Sequence, residues 1–73
     1  MNELKKLAKE MVWVQDGLKK ETLTELDREE LNEEHERITN TMLTKGYSAS
    51  LLVQYMEEYR ELGLGDYQAW INS

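Results

Sequence analysis

Apolar residues recur at Leu4, Leu7, Met11, Val14 and Leu18, in steps of three, four, three and four that place them along one side of an α-helix. The spacing predicts a first helix over roughly residues 2 to 20, with Asn2 as its N-cap. Gly17 falls near the end of that run, where it is either a tolerated interior residue or a left-handed C-terminal cap. Two large residues lie off the seam. Trp13 stands nearly opposite it, flanked along the helix by Lys6, Lys9 and Lys20, and Val12 supports a second buried face.

The second helix has a capping signature at Asp27, with Glu30 three residues on to reach back and Leu26 placed to staple to Leu31. Thr22 with Glu25, or Thr24 with Asp27, offers an earlier start. Either start leaves a short connection, which predicts an antiparallel hairpin of helices 1 and 2. Leu31, His35, Ile38 and Met42 mark the stripe expected to be buried. Gly46 then predicts a Schellman stop, with Tyr47 just beyond it able to contact Met42, and Ser48 follows as the next N-cap.

Helix 3 carries Leu51, Leu52, Tyr55, Met56, Tyr59 and Leu62 on a broad face, and Gly63 with Leu64 repeats the stop signal against Tyr59. Asp66 caps a last short turn holding Tyr67, Trp70 and Ile71. With no proline, repeat or linker, residues 1–73 read as one all-α domain. The expected architecture is a small three-helix domain, a helical hairpin with a third helix across it, followed by a short C-terminal helical turn.

A chain of 73 residues buries only roughly 60% of its unfolded surface, so its core is modest. Without cysteine it has neither disulfides nor thiolate metal sites to add stability, and self-association becomes the expected supplement. A homodimer is expected, because the seam of helix 1 together with Val12 and Trp13 exceeds what one small core needs. The lack of a disulfide framework and of a targeting segment points to the cytoplasm. The longest solid apolar stretch, Met11 to Val14, is far too short for a membrane span.

Charge changes the picture most. Residues 1–20 carry five lysines against three acids (+2), residues 21–37 two arginines against eight acids (−6), and the remainder two bases against four acids (−2). Phosphate affinity comes from neutralisation by Lys and Arg, so direct nucleic-acid binding is not expected and a basic protein surface is the easier partner. On helix 2, Glu25, Glu29, Glu30, Glu33, Glu34 and Glu36 project away from the apolar stripe. Glu21 and Glu25, Glu25 and Glu29, Glu29 and Glu33, and Glu30 and Glu34 are like-charge pairs at four-residue spacing, each unfavourable by roughly 0.2–0.5 kcal/mol. Only Glu33 with Arg37 opposes them. The plain reading is a solvated face partly neutralised by helix 1 lysines; the functional one is a docking face, or a mimic of nucleic-acid charge.

Other candidate chemistry is sparse. His35 has Leu31, Asn32, Ile38 and Thr39 at the helical ligand spacings, so it reads as a core or interface histidine and not as a metal ligand. Met42, Gly46, Tyr47, Leu52 and Tyr55 have the spacing of a helix-turn-helix. The would-be recognition helix presents Ser48, Ala49, Ser50, Val53, Gln54, Glu57 and Glu58, with no base before Arg60, and it cannot neutralise phosphates. Val53 there hints at a protein contact instead.

There is no cysteine nucleophile, no second histidine and no glycine-rich phosphate loop, so no enzymatic activity, cofactor or metal is expected. Trp13 is either covered by the C-terminal segment, against Tyr67, Trp70 or Ile71, or an interface anchor. The sequence thus predicts a small acidic interaction module, an adaptor or regulator. Its candidate partner-binding residues are Trp13, Val12, Lys6, Lys9, Glu29, Glu33 and Glu36. An acidic inhibitor that mimics nucleic-acid charge, of the kind a phage or mobile element encodes, is the alternative; a DNA-binding helix-turn-helix is the third reading.

Overall fold

The structure is a computed structural model, and it describes residues 2–72. Every regular element among them is helical: α1 (Glu3–Leu18), α2 (Glu25–Lys45), α3 (Ala49–Glu58), a π-helical turn (Tyr59–Gly63) that continues α3, and α4 (Tyr67–Ile71). None of these helices is long and apolar enough to cross a membrane.

Local signals set the boundaries. Asn2 caps α1 as expected, its Oδ1 accepting from the backbone N–H groups of Leu4 (2.9 Å) and Lys5 (3.2 Å). Thr24, not Asp27, caps α2, its Oγ1 accepting from the Asp27 N–H at 3.1 Å. The earlier start places Asp27 inside the helix and leaves Leu26 65% exposed, so Leu26 does not staple to Leu31. Gly46 ends α2 at φ 67°, donating to Leu43 O while Tyr47 N–H donates to Met42 O, the paired bonds of a Schellman motif. Ser48 and Asp66 cap α3 and α4 through Leu51 N–H and Ala69 N–H.

The expected second stop is different. Gly63 has no left-handed backbone, and Leu64 N–H reaches Tyr59 O five residues back, which makes the segment a π turn. Gly63 serves another need there: a Cβ would lie 2.4 Å from Tyr59 Cδ2, so only glycine lets the Tyr59 ring lie over the turn. Leu64, 66% exposed, makes no stapling contact.

α1 is the central helix. Its seam residues Leu4, Leu7, Met11 and Val14 are buried, and a second stripe of Lys5, Ala8 and Val12 is buried beside it. α2 and α3 both pack chiefly on α1. The contacts Glu3–Lys45, Glu10–Arg37 and Gly17–Leu31 run in opposite senses along α1 and α2, which establishes the antiparallel hairpin. Gly17 is interior to α1 and allows close approach, since a Cβ there would sit 2.9 Å from Leu31 Cδ1. From the C-terminal side, Tyr59, Trp70 and Ile71 complete the core.

α2 is covered along one narrow stripe only. Ile38 and Met42 are buried and Leu31 is half-buried, but His35, expected among them, is exposed. The reason is that α2 packs chiefly on α1, along one line, and a residue at the edge of that line stays in water. Val12 is corrected likewise. At 1% exposed it belongs to the core, where it cannot meet a partner. The seam residues Leu4, Leu7, Met11 and Val14, and Val12 with them, are thus buried within one chain, while Trp13 stays 56% exposed. Trp13, Leu26, Leu43, Val53 and Leu62 are the exposed large apolar residues of the helical elements.

Candidate interaction surface

The charge network runs opposite to the expectation that helix 1 lysines neutralise helix 2. It is α2 that supplies the cations: Arg37 bridges Glu10 of α1 (2.9 Å) and Glu34 (2.7 Å), and Lys45 holds Glu3 of α1 (2.8 Å). Arg37 therefore opposes Glu34, not the Glu33 its four-residue spacing suggested. Both cations are held above their ordinary pKa, Arg37 by hydrogen bonds to Glu34 and then Glu10, Lys45 by its hydrogen bond to Glu3. Among the described residues, Glu25, Glu29, Glu30, Glu33 and Glu36 make no ion pair.

The α1 lysines face other duties. Lys5 is buried, its Nζ donating to Trp70 O at 2.9 Å and lying 5.2 Å from the Trp70 ring and 5.5 Å from the Tyr55 ring. Sequence reasoning missed this residue, although its place at the head of the Lys5, Ala8, Val12 stripe was a usable signal. Lys9 lies between two rings, 4.3 Å from that of Trp13 and 4.2 Å from that of Tyr67. Partial burial, then Tyr59 and Glu10, raise the Tyr67 pKa above its ordinary value. Lys6 is exposed beside Glu3, Glu10 and Arg37 on the far side of the hairpin.

Trp13 is neither fully covered nor free. Its Nε1 donates to Tyr59 Oη at 3.1 Å, which fixes the indole against the C-terminal part of the chain, yet the residue remains 56% exposed. It lines an open groove between α1 and α2, roughly 560 Å³, with Gly17 and Leu31 at its apolar floor and Asp27, Glu30 and Glu34 on the α2 side. Glu33 and Glu36 line a different groove, with Asn40 and Thr44. The expected site residues therefore divide: Trp13 and Lys9 come together, Glu33 and Glu36 look elsewhere, and Glu29 is simply exposed. Asp27, Glu30 and Glu34 share the groove with the tryptophan, and Glu10 lies with it and Glu34 at a neighbouring one; the hairpin register that brings Gly17 to Leu31 places the α2 acids there.

No set of three or more His, Asp or Glu side chains among the described residues is arranged to hold a metal. The α2–Gly46–α3 corner has a glycine turn, and Ala49, Ser50, Val53, Gln54 and Glu57 of α3 are all exposed without a basic residue. Comparison of the chain with protein-family models, with curated proteins and with solved structures found no match.

Proposed function

We propose that this chain is a non-enzymatic interaction module that docks a basic surface of another protein on the first half of α2. One observation carries the reading. Residues 25–36 are exposed except for half-buried Leu31; five of their glutamates have no ion pair among the described residues, Arg28 is the one cation among them, and the other two cations of α2, Arg37 and Lys45, are turned to α1. A helix segment with like charges four apart gains from an external cationic surface what the fold does not supply.

The inhibitor reading is the special case in which that basic surface ordinarily takes nucleic acid. DNA binding through the α2–α3 corner has less support, because α3 offers no phosphate-neutralising residue before Arg60, and Arg60 bonds Asp16 of α1 at 3.0 Å.

The test is capture of partners from the native host, read by mass spectrometry, with the parent chain and with the variant E29K/E33K/E36K. The expected partner has a basic surface, is lost as salt rises and is not retained by the triple variant. Retention of the same partner by the triple variant at high salt overturns the reading. Competition by nucleic acid for the captured partner separates mimicry from ordinary docking.

A further inference from the structure

Granting that α2 docks a basic partner, we infer that the groove between Trp13 and the Glu30 side of α2 seats an arginine side chain from a basic segment of that partner protein. The groove offers three things in one place. Trp13 presents an exposed indole, Leu31 and Gly17 form an apolar floor, and Asp27 and Glu30 bring two carboxylates that make no ion pair among the described residues. The methylene stem of a long cationic side chain covers apolar floor while its head reaches the carboxylates.

Charge bookkeeping in the groove favours an added cation. Glu34 also lines it but is already held by Arg37, so the open charges are Asp27 and Glu30. Lys20 shares the groove and is an exposed side chain without an ion pair among the described residues, leaving the lining net negative. Lys9 Nζ already lies 4.3 Å from the Trp13 ring centroid, so an added cation meets the part of this 56% exposed indole that Lys9 leaves uncovered.

Arginine fits this combination better than lysine. A planar guanidinium stacks on an indole and gives paired hydrogen bonds to a carboxylate at once, whereas an ammonium is a strongly hydrated point charge. Trp13 is also pre-positioned: its hydrogen bond to Tyr59, whose ring is packed over Gly63, holds the indole in place before a partner arrives.

The probes are three capped alanine-based helical peptides carrying, four residues apart, two arginines, two lysines or two glutamines. Binding is read from the indole N–H resonance of Trp13, assigned by its loss in Trp13→Phe. The arginine peptide is expected to shift that resonance and to bind about fivefold or more tightly than its lysine twin, the range a desolvated cation–π contact supports. The glutamine peptide is expected not to bind. Trp13→Ala, which lacks that resonance and is titrated by isothermal calorimetry alongside the parent chain, should abolish the preference for arginine, and D27N/E30Q, on an exposed face, should weaken the arginine peptide without loss of helix content.

Equal affinity for the arginine and lysine peptides, or an arginine preference that survives D27N/E30Q, overturns the groove assignment. If E29K/E33K/E36K abolishes binding of both peptides while D27N/E30Q does nothing, the docking role of α2 stands and the arginine seat falls. Should Trp13→Ala fail to fold, D27N/E30Q alone decides.

Discussion

α1 and α2 are amphipathic helices packed against each other, yet α1 buries seven of its sixteen residues and α2 only two of its twenty-one. The difference is one of neighbours and not of propensity. α1 lies between α2 on one side and α3 with the C-terminal segment on the other, so two stripes of its surface leave water. α2 packs chiefly on α1, along one stripe. A helix with a single packed edge keeps most of its surface for other uses, and here that surface is strongly acidic. The apolar seam of α1 builds the fold; the polar excess of α2 is free to contact something else.

The sharpest way to break the contrast is at Ile38, the fully buried anchor of α2. Ile38→Ala is expected to lower stability by about 2–5 kcal/mol, a large part of what so small a domain has. Urea denaturation followed by circular dichroism checks it; a loss under about 1 kcal/mol would mean that α2 is held mainly by its ion pairs.

A smaller effect should follow from Gly17→Ala. The added methyl meets the end of the Leu31 side chain at 2.9 Å, which has to move, while the helix gains from replacing an interior glycine by about 1 kcal/mol. Overall stability should change by less than about 1 kcal/mol, with the perturbation confined to the first half of α2. Amide hydrogen exchange is the readout: protection should fall in residues 25–36 and hold in α1. Uniform loss across both helices would show that the two halves of α2 open together.

The smallest effect is in alkaline solution. Lys45 and Tyr67 have pKa values raised by folding, so the folded state is favoured in full below their unfolded values and loses that advantage as pH rises through the folded ones, while Arg37, raised from an already higher value, stays charged throughout. Urea midpoints should be unaffected by these groups between about pH 6 and 9 and should fall above about pH 10, alongside tyrosinate absorbance. A midpoint rising with pH above 10 would reverse the assignment.

How far the sequence displays this structure depends on the range of the interactions involved. Asn2, Gly46, Ser48 and Asp66 act through bonds spanning two to five residues, and they mark helix ends where the sequence places them. The apolar seam of α1 is legible for the same reason, as a period. What sequence patterning missed depends on contacts between distant positions. Of the two starts the sequence offers for α2, the chain takes Thr24; His35, expected on the buried stripe, is exposed because α1 does not cover that edge of α2.

The interaction surface follows the same rule. The acidity of α2 is plain in the sequence, but its pairing scheme is not, because Arg37–Glu10 and Lys45–Glu3 connect residues far apart in the chain. Trp13 stands out by its place off the seam. Lys9 is placed beside it by the helix period, but the indole's hydrogen bond to Tyr59 depends on the path of the chain after α3, which the π turn redirects.

That π turn also bears on how the chain tolerates changes of length. Each residue of an α-helix advances the direction of its side chains by about 100°, so one residue more or fewer rotates everything downstream. A π turn is a place where one extra residue is already absorbed. Deleting a single residue between Arg60 and Leu62 would let the segment close as ordinary α-helix, while Asp66 and the buried pair Trp70 and Ile71 tie the end of the chain to α1. The strain of such a deletion would fall on Tyr59 and Gly63, and through Tyr59 on the aim of the Trp13 indole. Single-residue indels at this point would therefore act as a rotary adjustment of the groove beside Trp13, set from a part of the chain outside the groove itself.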